Sequence, residues 1–268
     1  MALAVAILPF AGLLAGAAPA RVVSMNVCTD QLAMLIAAPG QLLSVSWLAA
    51  DPRLSSMAAA AGAIRLNRGD AEDIFLMHPD VVLADEWSDA ATVDMLRRLG
   101  LRVEEFDPGT SMTTIRGNIT RMGAILGREA AAAEVLAGFG ARMAALPPVP
   151  AMPPRAAVYG PNGWTEGPAS LAGQILDAAG YQNVAAGLGY GIGGTLPLEV
   201  LVMTSPDLVI TGERAAGAAR ADEVLSHPAL AGFTDAALAS DAAWVCPGPF
   251  VADAVERLAA ARLAGEGP

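Results

Sequence analysis

The sequence predicts an α/β protein made of two Rossmann-like lobes with mainly parallel sheets, joined by one long rigid helix. Three observations carry this. The first is a duplicated segment: GDAEDIFLMHPDVVLAD over 69–85 and LPLEVLVMTSPDLVITG over 196–212. Each places a glutamate (Glu72, Glu199) seven positions before a proline (Pro79, Pro206), then an aspartate (Asp80, Asp207) and an aliphatic run. A residue before proline is pushed out of the α region, so each copy reads as a short helix feeding a strand buried on both faces. The second observation is the alternation of strand-like and helix-like stretches through both halves. The third is a helical, proline-rich crosspiece between them. The expected organisation is an export signal over 1–20, an N-terminal lobe over 21–127, a linker over 128–154 and a C-terminal lobe over 155–268.

The first twenty residues are apolar and uncharged and end Ala18-Pro19-Ala20, the pattern of a signal peptide cleaved before Arg21. Arg21 to Met25 then reads as a strand. Asn26-Val27-Cys28-Thr29-Asp30 is the capped turn into a helix from Gln31 to Ala38. Leu42 to Ser46 is a second strand, followed by a surface loop from Trp47 to Arg53. After the first repeat copy, Asp85 to Ser88 is a loop. A helix over 90–99, stopped by Gly100, and a strand over 102–106 follow. Ile115, Ile119, Met122 and Ile125 lie at helical spacing in a helix ending at Gly127. The alanine-rich stretch 128–146 makes the linker helix, and five prolines over 147–154 stiffen the connection.

The second lobe restarts with a strand over 156–159 and the loop from Gly160 to Thr165. A helix over 171–179 is closed by Gly180. The glycine-rich run 187–195 contains a match to GxGxxG, but no strand precedes it and it leads into Leu196-Pro197. A dinucleotide fingerprint needs strand, turn and helix in succession, so a ligand-facing loop is the better reading. Ala243 to Cys246 is expected as a last strand, Pro247 to Phe250 as a turn, and 251–264 as a closing helix. Parallel sheets of this kind bind ligands outside the carboxyl ends of their strands.

Composition removes several functions. The formal net charge is −11, the basic residues are all arginine, and no basic run occurs, so nucleic-acid binding is not expected. Without lysine there is no Schiff-base chemistry and no phosphate-loop lysine. His78 and His227 each precede a proline at a helix end and are not placed to hold a bare metal ion, so no metal site is expected. No G-x-S-x-G elbow is present, which leaves hydrolysis without support. Cys28 and Cys246 each end a predicted strand at the edge of their lobe. A disulfide between them would tie the lobes together. Two free thiols, or a thiolate touching bound metal, are the alternatives.

The opening RVVSMNVCTDQL, the two E-x6-P-D segments, the helical crosspiece and the PGPF turn before the final helix together resemble the periplasmic substrate-binding proteins of ABC importers for cobalamin, ferric siderophores and haem. The resemblance covers 21–264. It implies two lobes bridged by a helix, a metal chelate held in the cleft between them, and a glutamate from each lobe docking on a permease dimer. By position, these are Glu72 and Glu199, which from spacing alone are equally well helix N-terminal acids favoured by the macrodipole. The chain departs from the family's frequent serine-rich opening, having Asn26 to Gln31 there, which leaves the chelate open between a corrinoid and a ferric siderophore. A haem carrier is the alternative, and a cofactor-holding enzyme on the same scaffold lacks the cysteines it would need. A flat chelate calls for apolar, π-rich walls. The candidates for ligand contact are Asn26, Cys28, Trp47, Trp87, Tyr159, Asn162, Trp164, Tyr190 and Phe250, with Trp244 assigned to the core. The resemblance implies a monomeric, non-enzymatic receptor in the periplasm with no cofactor of its own.

Overall fold

The computed structural model describes residues 18–109, 111–212, 219–233 and 238–265. Residues 1–17 of the expected export signal, and parts of the region from Glu213 to Ser240, lie outside the described residues.

The N-terminal half is built on a parallel sheet of five strands: β1 (Val22–Ser24), β2 (Leu42–Ser46), β3 (Arg65–Asn67), β4 (Val81–Asp85) and β5 (Val103–Phe106). Their order is β3-β2-β1-β4-β5. Helices α1 (Val27–Ile36), α2 (Ala58–Ala61), α3 (Ala71–Leu76) and α4 (Ala90–Arg98) connect them. Alternation along the central strands divides the core: Val22, Val81 and Leu83 face α1, while Val23, Val82 and Ala84 pack with Ile74, Val93 and Leu96 of α3 and α4. Both faces are covered, which is why β4 reads as an unbroken apolar run.

Helix α5 (Met112–Leu126) follows the first sheet, and α6 (Glu129–Ala144) is the helix that the linker stretch 128–146 forms. Between them Gly127 adopts φ 64° and lets the Arg128 N–H donate back to the Gly123 carbonyl at 2.7 Å. Gly123 also permits the close crossing, since a Cβ there would stand 2.5 Å from the Ala132 Cβ. The 16 residues of α6 span about 24 Å. Its Phe139 and Ala132 belong to one apolar cluster that runs from β1 and β4 through α5 into the second half, so the crosspiece is packed on both sides.

The C-terminal half carries β6 (Arg155–Val158), β7 (Trp164–Glu166), β8 (Gln182–Asn183), β9 (Gly193–Thr195) and β10 (Leu208–Ile210). Strands β10-β6-β8 are parallel, and β7 and β9 form an antiparallel pair. Helices α7 (Leu171–Ala178), α8 (Val184–Gly187), α9 (Leu198–Met203) and α10 (Val251–Gly265) complete it. The glycine-rich run therefore supplies a strand, not a phosphate cradle. Two elements went unpredicted in the first half, α2 and the edge strand β3. The predicted strand from Ala243 to Cys246 is instead a 3₁₀ turn over Ala242–Trp244, opened by the Asp241 carboxylate accepting from the Ala243 N–H at 3.1 Å. Among the described residues, no helix is long and apolar enough to cross a membrane.

The duplicated segments fold into the same device. Helices α3 and α9 have 6 residues each. Each is followed by a non-glycine residue in the left-handed region, His78 at φ 47° and Ser205 at φ 48°, a conformation costing about 1–2 kcal/mol. A reciprocal clamp offsets that cost. The Asp80 carboxylate accepts the Arg21 N–H at 2.9 Å, and the Asp207 carboxylate accepts the Arg155 N–H at 2.7 Å. In return the Arg21 and Arg155 backbone carbonyls accept from Asp80 N and Asp207 N, both at 2.8 Å. The Arg21 guanidinium donates to the Met77 and His78 carbonyls, and that of Arg155 to the Thr204 carbonyl. Val22 pairs with Val81 and Ala156 with Leu208, so the registers match as well.

Candidate functional site

The carboxyl ends of the first sheet converge on a buried polar floor. Asn26 caps α1, its side chain accepting the Cys28 N–H at 2.8 Å, and Thr29 bonds the Ser24 hydroxyl at 2.8 Å. Asp30, fully buried in the first turn of α1, accepts from Ser46 at the end of β2 through both N–H (3.1 Å) and Oγ (2.5 Å). Desolvation pushes its carboxyl up to about 7, against the pull of those donors, and nearby Asp85 adds to the rise. Burial likewise raises Asp85, which ends β4 and accepts the Trp87 N–H at 2.9 Å. One oxygen of each acid, Asp30 Oδ1 and Asp85 Oδ2, is buried without a hydrogen-bond partner among the described residues.

In the second half, the β7–β9 pair folds over the end of β6. Thr165 Oγ1 donates to the Val158 carbonyl at 2.9 Å, and the Trp164 indole N–H donates to Glu166 at 2.9 Å. Facing this pair is the loop carrying Arg53, whose guanidinium chelates Asp51 at 2.6 Å and holds that carboxyl down at about 2. Between them lies a cavity of about 880 Å³, reached by Arg53 and Ser55 from the first half and by Val158, Glu166, Trp244 and Arg257 from the second. It sits at the carboxyl ends of β6 and β10, the expected place for a ligand in a parallel sheet. A second cavity, of about 810 Å³, is lined by Pro154, Asp207 and Leu208 at the opposite, amino ends of the same strands, so the first is the better site.

Cys28 and Cys246 are joined in a disulfide, with Cα atoms 5.3 Å apart across 218 residues of chain. This consumes the Cys28 sulfur and ties α1 to the segment leading into α10. Pro247 of that segment lines a small void with Asp85, Phe106 and Asp107 of the first half.

None of the nine residues expected to touch ligand lines the 880 Å³ cavity. Tyr159 is a correction: it is 1% exposed, with its hydroxyl donating to the Leu196 carbonyl at 3.0 Å. It belongs to the core with Val184, Leu196 and Val209. Phe250 also packs against the main core, and the Tyr190 hydroxyl is taken up by the Thr195 carbonyl at 2.7 Å. Asn162 is exposed in a turn at φ 55°. Trp47, Trp87 and Trp164 stay exposed, Trp47 under the Arg68 guanidinium at 6.0 Å. Trp244, assigned to the core, does pack there, yet it also reaches the cavity, and its buried indole N–H has no acceptor among the described residues. Arg53, Glu166 and Arg257 were missed. The only sequence signal was the Asp51-Pro52-Arg53 turn, which marks a loop without saying what it faces. Glu72 and Glu199 are exposed on α3 and α9 and make no ion pair among the described residues.

Comparison with known proteins places this geometry. Two cobalamin-binding proteins from strains of Halobacterium salinarum are 29% identical over 199 residues, covering 72% of this chain and 54% of theirs. The chain thus spans about half the length of the curated relatives it matches. Among solved structures, a periplasmic heme-binding protein from Roseiflexus superposes with TM-score 0.71 at 19% identity, over 90% of this chain and 98% of that one. The periplasmic vitamin B12 binding protein of Vibrio cholerae gives 0.63 at 17% identity, over 93% and 99%. The profile of the periplasmic binding protein family matches residues 22–240, and with this fold around it the chain belongs to that family.

Proposed function

We propose that the chain is the substrate receptor of an ABC importer, exported to the periplasm and capturing a metal chelate, a corrinoid such as cobalamin, between its lobes. The observation that carries the reading is the 880 Å³ cavity at the strand ends, held between halves that share a core and a disulfide. The receptor acts as a monomer without a cofactor of its own, the metal arriving inside its chelator. No histidine, tyrosine, cysteine or methionine lines the cavity among the described residues, which suits a metal that brings its own ligands better than haem iron seeking one. Glu72 and Glu199, exposed and without an ion pair among the described residues, are the acids through which it docks on a permease dimer. Removal of residues 1–20 would put a new α-ammonium group at Arg21, whose nitrogen lies 2.9 Å from the Asp80 carboxylate.

A ferric siderophore is the second reading, favoured by Arg53 and Arg257 reaching the cavity from opposite halves, since cationic walls suit an anionic chelate. Titrating the purified protein with cyanocobalamin, cobinamide, haem and ferric hydroxamate and catecholate siderophores, read by tryptophan fluorescence, decides between them. Saturable quenching by the corrinoids is expected. A response to a siderophore or haem alone, with none to either corrinoid, overturns the first reading.

A further inference from the structure

Each docking glutamate has an apolar companion. Leu76 and Met203 lie four residues beyond Glu72 and Glu199, on the same helix face one turn along. They are 63% and 83% exposed, although the residues two positions before them, Ile74 and Leu201, are fully buried. Scattered exposed apolar side chains need no explanation. Two at matched positions of an internal repeat do, because the rest of the repeat is conformationally fixed. The Arg21–Asp80 and Arg155–Asp207 clamps bond the strand start to the end of each six-residue helix, so acid and apolar side chain stand on a rigid platform in both halves.

We infer that Leu76 and Met203 are the apolar anchors of the docking surface, each filling a socket beside the basic group that receives its glutamate. The inference rests on the importer reading above. A surface that repeats the same acid-plus-apolar pair fits a partner that repeats the complementary pair, which is what a twofold-symmetric membrane dimer presents. The chain's net charge of −11 and the two exposed carboxylates supply the long-range attraction. The apolar side chains supply the desolvated contact that holds the complex, as buried anchors ringed by polar groups do elsewhere. With two attachment points, loss of one anchor lowers occupancy at the other.

The test places the photocrosslinker p-benzoylphenylalanine at positions 76, 203, 72 and 199 of the full-length chain in its native cells, with position 152, where Met152 is 89% exposed, as control. Probes at 76 and 203 are expected to capture one and the same integral membrane polypeptide, and the control none. Yield from position 76 falls about tenfold in a Met203→Ser background, and from position 203 in a Leu76→Ser background, as removal of a hot-spot contact would give. Capture from 72 and 199 with none from 76 or 203 overturns the anchors and leaves the importer reading standing. Capture from none of the four overturns both.

Discussion

Asp30→Asn tests how the N-terminal half handles its most costly buried group. A carboxyl that releases its proton at 3.8 when solvated and at about 7 when folded differs by about three pH units, or about 4 kcal/mol. The sign follows from which state binds the proton. Below pH 4 both states are protonated and Asp30 contributes nothing. Between pH 4 and 7 the unfolded chain has lost the proton and the native state has kept it, so stability falls as pH rises. Above pH 7 the full penalty stands. Asparagine does not ionise, and its Oδ1 still accepts from Ser46, which donates to Asp30 at 3.1 and 2.5 Å. The variant is expected to gain on the wild type steadily from pH 4.5 to 7, ending about 2–4 kcal/mol more stable at pH 8 after about 1 kcal/mol is lost in the weaker hydrogen bond. Urea unfolding followed by tryptophan fluorescence at pH 4.5, 6, 7 and 8 measures the difference, in which every other titrating group cancels. A difference that stays flat across this range would refute the buried, protonated Asp30.

Three further outcomes are expected. Cys28→Ser/Cys246→Ser removes a cross-link spanning 218 residues, for which the chain-entropy treatment gives about 5 kcal/mol, so calorimetry should record a large drop in Tm that adding reductant to the wild type reproduces. Gly123→Val drives a side chain into Ala132, where a Cβ already has only 2.5 Å, and should cost about 1–3 kcal/mol in denaturant unfolding without changing the chelate affinity of the folded protein. Tyr159→Phe deletes a buried hydrogen bond of 3.0 Å, so about 1 kcal/mol of stability should go while chelate affinity measured by fluorescence titration is unchanged; an affinity loss would return Tyr159 to the binding wall.

The repeated helix-to-strand module was legible because every signal in it is local. Proline ends α3 and α9 through its own ring, and Val81 to Ala84 are apolar without interruption because both sheet faces are covered. Helices α4, α5, α7 and α10 were legible for the same reason, with glycine at the end of the first three. The edge strand β3 was not: Arg65 and Leu66 are exposed, so neither an apolar run nor a strict alternation announces it. The turn over Ala242–Trp244 was taken for a strand because three apolar residues suit either state, and the Asp241 cap decided.

Sequence alone determined the two parallel half-sheets, the crosspiece and the matched acids, since backbone preference and burial period act between residues a few positions apart. Tertiary structure alone decided which side chains meet the cavity. Tyr159 and Trp164 stand five residues apart at the two ends of one predicted loop, and one is buried while the other is exposed at the start of β7. Arg53 and Arg257 reach the same cavity from positions about two hundred residues apart. Which way a loop side chain turns depends on what the distant chain has already filled, and no local pattern carries that information.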